Sequence, residues 1–420
     1  MKQEIKNRIK DINNGIVPSG YEKTEFGIFP CDWVVDKRLK DIGTFGKGKG
    51  LPGDKMTLEG VPCVGYGDIY MKYNNFHFEK TQSFVDKETA SKSQPIQKGT
   101  LLFTGTGETA EEIGKCVCYN GDETIYAGGD IITFISNEVN PLFLAYQQYQ
   151  DFSFRNKASF GQGHSVVHIR QNNLEKLHVA YPKSADEQSK IAEILMKWDE
   201  AIELYDKLVS LLITKRDAVV QKIVSVNAEW KGYSLSDILQ EKNEYSQKNN
   251  EHEVLSSTKQ GIFYQSDYFD KQVASEKNIG YKIVCRGDIV LSPQNLWLGN
   301  INYNDVFEIG IVSPSYKIFE IKSGFDKTLI STIMKQPSML HQYVLASEQG
   351  ASIVRRNLNM DLFYKIKIIL PSIEKQNQLG KIIETINKHI FLCKLQLENI
   401  KSQRKILQQY LLNGIVRVKV

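Results

Sequence analysis

Two glycine-rich segments are the first places in this sequence where chemistry could be expected. Residues 43–50, GTFGKGKG, have the G-x4-G-K frame of a loop that binds nucleotide phosphates, but Gly50 stands where such loops carry the Ser or Thr that binds Mg²⁺. We therefore predict a flexible loop whose lysines contact nucleic-acid phosphates, rather than a nucleotide site. Residues 105–110, GTGETA, resemble the glycine turn of a dinucleotide-binding fold only weakly.

Other catalytic and metal-binding patterns are incomplete. An enzyme that methylates adenine needs an Asn/Asp-Pro-Pro-aromatic loop to hold the flipped base, whereas NPLF at 140–143 lacks the second proline, so we expect Asn140 to cap a helix. The seven histidines form no cluster with metal-ligand spacing, and the six cysteines include no CxxC pair. Cys116 and Cys118 alternate in a predicted strand, where we expect two reduced, packed thiols. We assign no catalytic residue and no metal ligand.

The composition permits nucleic-acid binding without requiring it. The 420 residues carry a net charge of +4, with 41% hydrophobic and 24% charged residues, which is typical of globular chains with two or three domains. Apolar runs are all shorter than the roughly 18 residues that cross a bilayer, and the start MKQEIKNRIK is too polar for a signal peptide. We therefore expect a cytoplasmic location.

Side chains that could contact DNA are grouped in loops of both halves of the chain. Base readout needs amide, hydroxyl and guanidinium groups, and phosphate contacts need Lys and Arg. In the first half the candidates are Lys47, Lys49, Tyr66, Tyr70, Lys72, Tyr73, Gln162 and His164. In the second half they are Ser257, Thr258, Lys259, Gln260, Tyr264, Gln294, Trp297, Gln349, Ser352, Arg355 and Arg356. Any single member is more often an ordinary surface or core residue, so the prediction concerns the groups.

The sequence that contains these loops has an internal repeat. The segments WVVDKRLKDI and WKGYSLSDI both run from a tryptophan into L-x-D-I. Gly99 before TLLF is repeated, 188 residues later, by Gly287 before DIVL, each being a glycine turn that enters an apolar strand. A repeat with so long a period predicts two similar domains.

The strongest repetition lies in two predicted helices, at about 186–224 and 374–412. Both carry an apolar stripe with the same seven-residue register, again 188 residues apart. At 1.5 Å per residue each helix is about 57 Å long. We predict that the helices pair as an antiparallel coiled coil, and the alternative is that each packs on its own domain. The pairing residues would be Ile191, Leu195, Trp198, Ile202, Tyr205 and Leu212 with Leu379, Ile383, Ile386, Ile390, Leu397 and Ile400.

The two ends of the chain also match, since NGIV occurs at 14–17 and at 413–416, each time after a helical, basic stretch. We infer a cyclic arrangement in which the termini approach each other. The predicted fold class is α+β, with two β-rich mixed domains separated by the two long helices. The predicted segments are 1–24, completing the helical repeat; 25–185, the first reading domain; 186–227, the central helix; 228–373, the second reading domain; and 374–420, the C-terminal helix.

Three segments resemble the conserved regions of type I restriction-modification specificity subunits. They are GYEKTEFGIFPCDW at 20–33, YPKSADEQSKIAEIL at 181–195 and LLNGIVRVKV at 411–420, and the resemblance covers essentially the whole chain. Its most telling element is a strand that ends in Pro182 before Glu187 and Gln188 open a long helix. The second copy departs from this pattern, because Pro371 is followed by Lys375 and Gln376.

The resemblance implies a DNA-recognition subunit without a catalytic centre. Each variable domain would read one half of a bipartite, asymmetric DNA site, and the paired helices would set the spacer, their length corresponding to about 17 base pairs. Two methyltransferase subunits would bring S-adenosylmethionine, and restriction subunits would bring ATP and Mg²⁺, so we expect no cofactor on this chain. The rival hypotheses are a DNA methyltransferase or nucleotide-dependent enzyme, and a purely structural coiled-coil protein.

Overall fold

The computed structural model describes residues 3–51, 53–73, 76–163, 166–224, 230–268, 277–349 and 356–419. The chain forms two compact units. Unit 1 comprises Met1–Leu204 together with Leu397–Val420, and unit 2 comprises Tyr205–Gln396. The boundaries fall inside the central helix, Ala185–Val224, and inside the C-terminal helix, Ile373–Leu412. The sequence predicted both helices to within one residue at the N-terminal ends.

Unit 1 combines helices with two larger sheets. Its shorter helices are Gln3–Asn13, Leu39–Ile42, Gly53–Lys55 (3-10), Tyr66–Met71, Lys87–Ser91, Pro141–Gln147, Asp151–Phe160 and Gln171–Leu174. Its main sheet has the strand order Gly43–Lys47, Ile131–Ser136, Thr100–Thr104, Cys116–Tyr119, His77–Phe78, antiparallel except for the last pair. A second sheet has the order Ser83–Val85, Val61–Val64, Ile125–Ala127, Gln94–Ile96. Two-stranded pairs are Tyr21–Thr24 with Gly27–Pro30, Trp33–Val34 with Tyr181–Pro182, and Thr106–Gly107 with Val167–His168.

Unit 2 has a four-stranded sheet that matches the first four strands in the order of the unit 1 main sheet. Its shorter helices are Leu235–Ile238, Gln265–Tyr268, Leu296–Leu298 (3-10), Lys327–Ile333, Pro337–Leu345 and Met360–Lys365. The sheet order is Leu239–Lys242, Lys317–Ile321, Asp288–Leu291, Ile301–Tyr303, antiparallel throughout. Smaller pairs are Lys231–Ser234 with Lys367–Leu370, Leu255–Ser257 with Ile262–Tyr264, Lys282–Cys285 with Ile309–Val312, and Ser347–Gln349 with Arg356–Leu358.

The repeated sequence motifs occupy matching places in the two units. The strands after Gly99 and Gly287 both lie inside the main sheet, and each glycine has a positive φ (84° and 96°) that other residues rarely adopt. Both L-x-D-I segments form a one-turn helix, Leu39–Ile42 and Leu235–Ile238, before the first strand of the sheet order. The α+β fold class with two similar β-containing halves is therefore confirmed.

Alternating side chains give the sheets two buried faces. In the strand Thr100–Thr104, Leu101 and Phe103 belong to a core that includes Ile191 of the central helix, whereas Leu102 belongs to a separate core with Val64. Cys116 and Cys118 both lie in the first core, buried and reduced as predicted. One face of the main sheet thus packs on helices and the other on the second sheet.

Within each unit, half of the central helix meets half of the C-terminal helix. In unit 1 Asp199 pairs with Arg404 and Glu187 pairs with Arg417, so the two chain segments run in opposite directions. In unit 2 Val220 and Ile383 share one core. All predicted pairing positions are buried or half-buried: Ile191, Leu195, Trp198, Ile202, Tyr205, Leu212, Leu379, Ile383, Ile386, Ile390, Leu397 and Ile400.

The termini meet inside unit 1, as the NGIV repeat predicted. The Arg8 guanidinium donates to the carbonyl oxygen of Ile415 at 3.0 Å, and the Tyr21 hydroxyl donates to that of Gly414 at 2.7 Å. Gly15 and Gly414 end their helices with matching positive φ angles, 74° and 65°. The chain therefore closes on itself in this unit. In the described residues, each helix is too short or too polar to cross a membrane.

Candidate nucleic-acid interface

The first glycine-rich segment is an edge strand, so the predicted flexible loop is wrong for residues 43–47. Gly43–Lys47 pairs with Ile131–Ser136, and the Gly48 amide donates to the Ile131 carbonyl at 2.8 Å. A side chain at Gly48 would overlap the carbonyl oxygen of Gly128. The glycines therefore serve close strand packing. Thr106 and Gly107 likewise pair with Val167–His168 instead of leading into a helix.

The N-P-L-F segment has the structural role that the sequence predicted for it. The Asn140 side chain accepts a hydrogen bond from the Phe143 amide at 3.1 Å and caps the helix Pro141–Gln147. Among the described residues, His, Cys, Asp and Glu side chains form no group of three or more that could hold a metal ion.

A cleft of about 560 Å³, with polar groups on part of its lining, lies at one end of the main sheet of unit 1. It brings together two predicted candidates, Lys47 from the edge strand and Gln162 from the loop after the helix Asp151–Phe160. The remaining lining residues are Gly105, Thr106, Asp130, Ile131, Ile132, His168, Ile169, Arg170, Gln171 and Asn173. Ammonium, guanidinium, imidazole and amide groups are thus concentrated around one opening.

Backbone pairing fixes the polar side of this cleft. Gln162 and His168 exchange backbone hydrogen bonds of 3.1 and 2.9 Å, and the Thr106 hydroxyl lies 3.2 Å from His168 Nδ1. The Asn173 side-chain oxygen accepts from the Arg170 amide at 3.2 Å, which holds the one-turn helix Gln171–Leu174 at the rim. Lys47, Gln162 and Arg170 remain exposed. Such groups can donate to phosphates and to base edges.

Sequence reasoning did not select His168, Arg170, Gln171 and Asn173. The available signal was the run RQNN at 170–173. Amide and guanidinium groups at a strand end are typical of readout surfaces.

Other candidates of unit 1 have partners inside the fold. The Tyr70 hydroxyl contacts the Thr104 hydroxyl at 2.7 Å, and burial raises the Tyr70 pKa. Lys72 pairs with Asp68 at 2.8 Å, and Tyr73 is buried in a stack on Phe78. Lys49 and Tyr66 are exposed outside the cleft lining, and His164 lies outside the described residues. We therefore leave Tyr73 out of the proposed interface.

In unit 2 the hydroxyls of the first candidate group face inward. The Ser257 hydroxyl donates to the Asn300 side chain at 2.8 Å and accepts from Asn302, and Thr258 closes its own turn by bonding Gly261. Lys259 and Gln260, at the tip of this turn, are exposed, and Tyr264 is 40% exposed against Phe307. Because Ser257 is 3% exposed, we leave it out of the interface.

The second group of unit 2 contains a stacked pair. The Arg356 guanidinium lies over the Trp297 ring, 5.3 Å from its centre, and Gln349 pairs with Arg356 through the backbone. Gln294 is exposed, and its carbonyl accepts from the Trp297 indole at 3.2 Å. Ser352 and Arg355 lie outside the described residues. The structure thus brings Gln294, Trp297 and Arg356 into one surface group.

Comparisons with known proteins agree with this architecture. The family model of the type I restriction modification DNA specificity domain matches residues 30–210. A putative type I restriction enzyme MjaX specificity subunit from Methanocaldococcus jannaschii is 22% identical, over 95% of this chain and 97% of its own length. The type I restriction enzyme MjaVIII specificity subunit of the same organism is 21% identical, over 93% and 94%.

The chain is similar to type I restriction-modification specificity subunits over most of its length. Solved structures support the same fold for this chain. It shares a TM-score of 0.59, at 16% identity, with the type I restriction-modification S subunit from M. genitalium, covering 90% of this chain and 96% of that one. A chain from a structural study of complex assembly and conformational transition of the type I system gives a TM-score of 0.51 at 12% identity, covering 95% and 98%.

Proposed function

We propose that this chain is the non-catalytic DNA-specificity subunit of a type I restriction-modification complex, in which each unit reads one half of a bipartite, asymmetric site. The observation that carries the proposal is the repetition of one sheet order in two units whose exposed loops differ. A repeated scaffold with unlike loops suits two readers of unlike sequences, because loop side chains decide which bases are read.

The reading surfaces proposed here differ in chemistry. In unit 1 the cleft supplies Lys47, Gln162 and Arg170, with Lys49 nearby in sequence for phosphate contacts. In unit 2 we assign Lys259, Gln260 and Gln294 with the Trp297–Arg356 stack. An arginine held over an indole loses little rotamer freedom when it contacts a phosphate or guanine, which favours binding.

The long helices would hold these readers at a set distance. Their forty-residue length and continuous apolar stripes support a full-length antiparallel pair that spans the spacer. We keep the segment boundaries 25–185 and 228–373 for the two reading domains, with 1–24, 186–227 and 374–420 as the helical framework.

The partners follow from this role. We propose that two methyltransferase subunits and the restriction subunits assemble on the chain in the cytoplasm, and that S-adenosylmethionine, ATP and Mg²⁺ bind to those subunits.

Methylation mapping tests the proposed function. Genomic DNA from cells with the intact chain is expected to carry methylated adenines in one bipartite motif with a fixed spacer, and cells without the chain are expected to lack that motif. The purified chain alone should methylate no DNA. Methylation by the isolated chain would favour the methyltransferase hypothesis, and an unchanged methylation pattern would contradict the proposal.

A further inference from the structure

A buried charged cluster in unit 1 joins the two helices to the reading domain. Arg404 of the C-terminal helix donates to Asp199 of the central helix through Nε at 2.8 Å and Nη2 at 3.1 Å. The Tyr146 hydroxyl, from the helix Pro141–Gln147, donates to the same carboxylate at 2.7 Å. The side chains of Arg404 and Asp199 are 9% and 5% exposed.

Aromatic rings and one amide complete this cluster. The Arg404 guanidinium lies 4.5 Å from the ring centre of Phe76 and 5.5 Å from that of Tyr146. Phe76 directly precedes His77–Phe78, the edge strand of the main sheet. Gln408 accepts from Arg404 and donates to the Tyr146 carbonyl at 3.3 Å. Two long helices, one short helix and the sheet edge thus converge on a single guanidinium.

The corresponding place in unit 2 is built differently. The 188-residue shift places Arg216 at the position of Arg404, but Asn387 at the position of Asp199. Arg216 pairs with its neighbour Asp217 at 2.8 Å, where the side chains are 27% and 35% exposed. Asp217 is reached from the reading domain by Gln336, at 3.4 Å. The contact between arginine and reading domain is therefore longer, more exposed and indirect.

Burial decides how firmly each cluster holds its geometry. An ion pair removed from water, with its remaining hydrogen-bonding groups satisfied, has one favourable arrangement, because any displacement leaves a desolvated charge without its partner. A pair that is about one third exposed exchanges its partner for water at little cost.

We propose that Arg404, Asp199 and Tyr146 are positioning residues that fix the unit 1 reading domain on the helix pair, and thereby set how strictly the spacer length is enforced. This inference rests on the proposed function. Unit 2, with Asn387 and the exposed Arg216–Asp217 pair, is the more compliant attachment. A spacer change of one base pair rotates one half-site by about 35° relative to the other, and a compliant attachment absorbs part of that rotation.

The test uses the full chain in complex with its methyltransferase partner and a panel of DNA duplexes. The duplexes carry the mapped half-sites with the cognate spacer or a spacer one base pair shorter or longer. The wild-type complex is expected to prefer the cognate spacer by about tenfold, the scale of a single mismatched pair. Asp199→Asn, which installs the unit 2 residue, is expected to reduce this preference to about threefold with the half-site bases unchanged.

Two further variants keep the test decisive. Glu193→Gln removes an exposed pair with Lys197 on the same helix and should leave the preference unchanged. Asn387→Asp places a carboxylate at the unit 2 position that the 188-residue shift matches to Asp199. It should raise the preference about threefold over wild type, whether or not Asp199→Asn folds. A folded Asp199→Asn complex with the wild-type preference, or an unchanged Asn387→Asp complex, would overturn the inference. A wild-type complex indifferent to the spacer would instead refute the proposed function.

Discussion

Gln188 of unit 1 and Gln376 of unit 2 make corresponding hydrogen bonds, whereas the residue before each glutamine differs. Gln188 accepts from the Asn140 amide at 2.7 Å and donates to the Pro182 carbonyl at 2.8 Å. Gln376 accepts from the Asp326 amide at 3.2 Å and donates to the Pro371 carbonyl at 2.9 Å. Each glutamine ties the start of a long helix to a helix cap and to the preceding strand.

The preceding residue reflects the place where the chain ends join. Glu187 is 3% exposed and binds Arg417 of the C-terminal tail, which also binds Asp32. Its counterpart Lys375 is exposed. Contacts that the shared topology needs are thus repeated, and contacts that close the chain occur where both termini are present.

The largest expected effect comes from the shared glutamine. Gln188→Ala and Gln376→Ala each leave a half-buried amide and a buried carbonyl without a partner. At about 1 kcal/mol for the amide and about 2 kcal/mol for the carbonyl, each variant should lose about 3 kcal/mol of unfolding free energy. Chemical denaturation measures the loss. Similar losses would support the equivalence of the two junctions, and a loss in one unit alone would contradict it.

A second difference lies in the helix that follows the glutamine-linked helix cap. In unit 1 the buried Lys157, seven residues after the helix N-cap Gln150, donates to the Gly114 carbonyl at 3.0 Å. In unit 2 Tyr343, seven residues after the helix N-cap Gln336, donates to the Met334 carbonyl at 2.9 Å. Burial lowers the pKa of Lys157 from 10.5 to about 8. Lys157→Met should therefore stabilise the protein by up to about 3 kcal/mol at pH 7.

The sign of the pH dependence tests this explanation. Between pH 8 and 10.5 the unfolded chain binds more protons at Lys157 than the folded chain does, so this residue makes stability rise with pH in that window. As the pH rises through this window, the difference in unfolding free energy between Lys157→Met and wild type should therefore shrink by the same amount. Denaturation at several pH values measures the difference between the two proteins, in which other titrating groups cancel. An advantage that does not change with pH would contradict the assignment.

A smaller effect is expected where the ends are joined. Arg417→Gln leaves Glu187 buried without its partner, and because the Arg417 side chain is 33% exposed we expect a loss of about 2 kcal/mol. The Arg417 hydrogen bond holds the pKa of Asp32 below its usual value, so this contribution is present above about pH 4 and is lost as the pH falls through the lowered pKa.

The matched control for this prediction is Lys375→Glu in unit 2, which should change stability by less than about 0.5 kcal/mol. Thermal or chemical unfolding at pH 7 and at pH 3 would measure both variants. Equal losses for the two variants would mean that chain closure does not explain the difference between Glu187 and Lys375.

The helices could be predicted because a helix is specified by residues that are close in sequence, and the apolar stripe from Ile191 onward repeats at seven-residue steps without a slip. The duplication could be predicted because the same stripe recurs 188 residues later. The sheet order could not be predicted, because it depends on pairing between segments far apart in the chain. The strand Gly43–Lys47 was missed since glycines are rare in strands, and here the close approach of Phe134 and Thr133 requires them.

The candidate reading surfaces could be predicted only in part for a related reason. The sequence alone does not show whether a polar side chain is free to contact DNA or is bonded inside the fold. Ser257 has two partners, Asn300 and Asn302, and both lie more than forty residues away in the chain. Lys47 and Gln162 were both selected from the sequence as candidates, but only the fold brings them to one cleft, together with Arg170.

The most direct test of the spacing role is a matched lengthening of both long helices at the unit boundary. Four residues inserted after Leu204 and four after Gln396 add about one helical turn, or about 6 Å, to each helix. With the methyltransferase partner, we predict a spacer longer by about two base pairs and unchanged half-site sequences. An unchanged spacer, or a change in the bases that are read, would contradict the account.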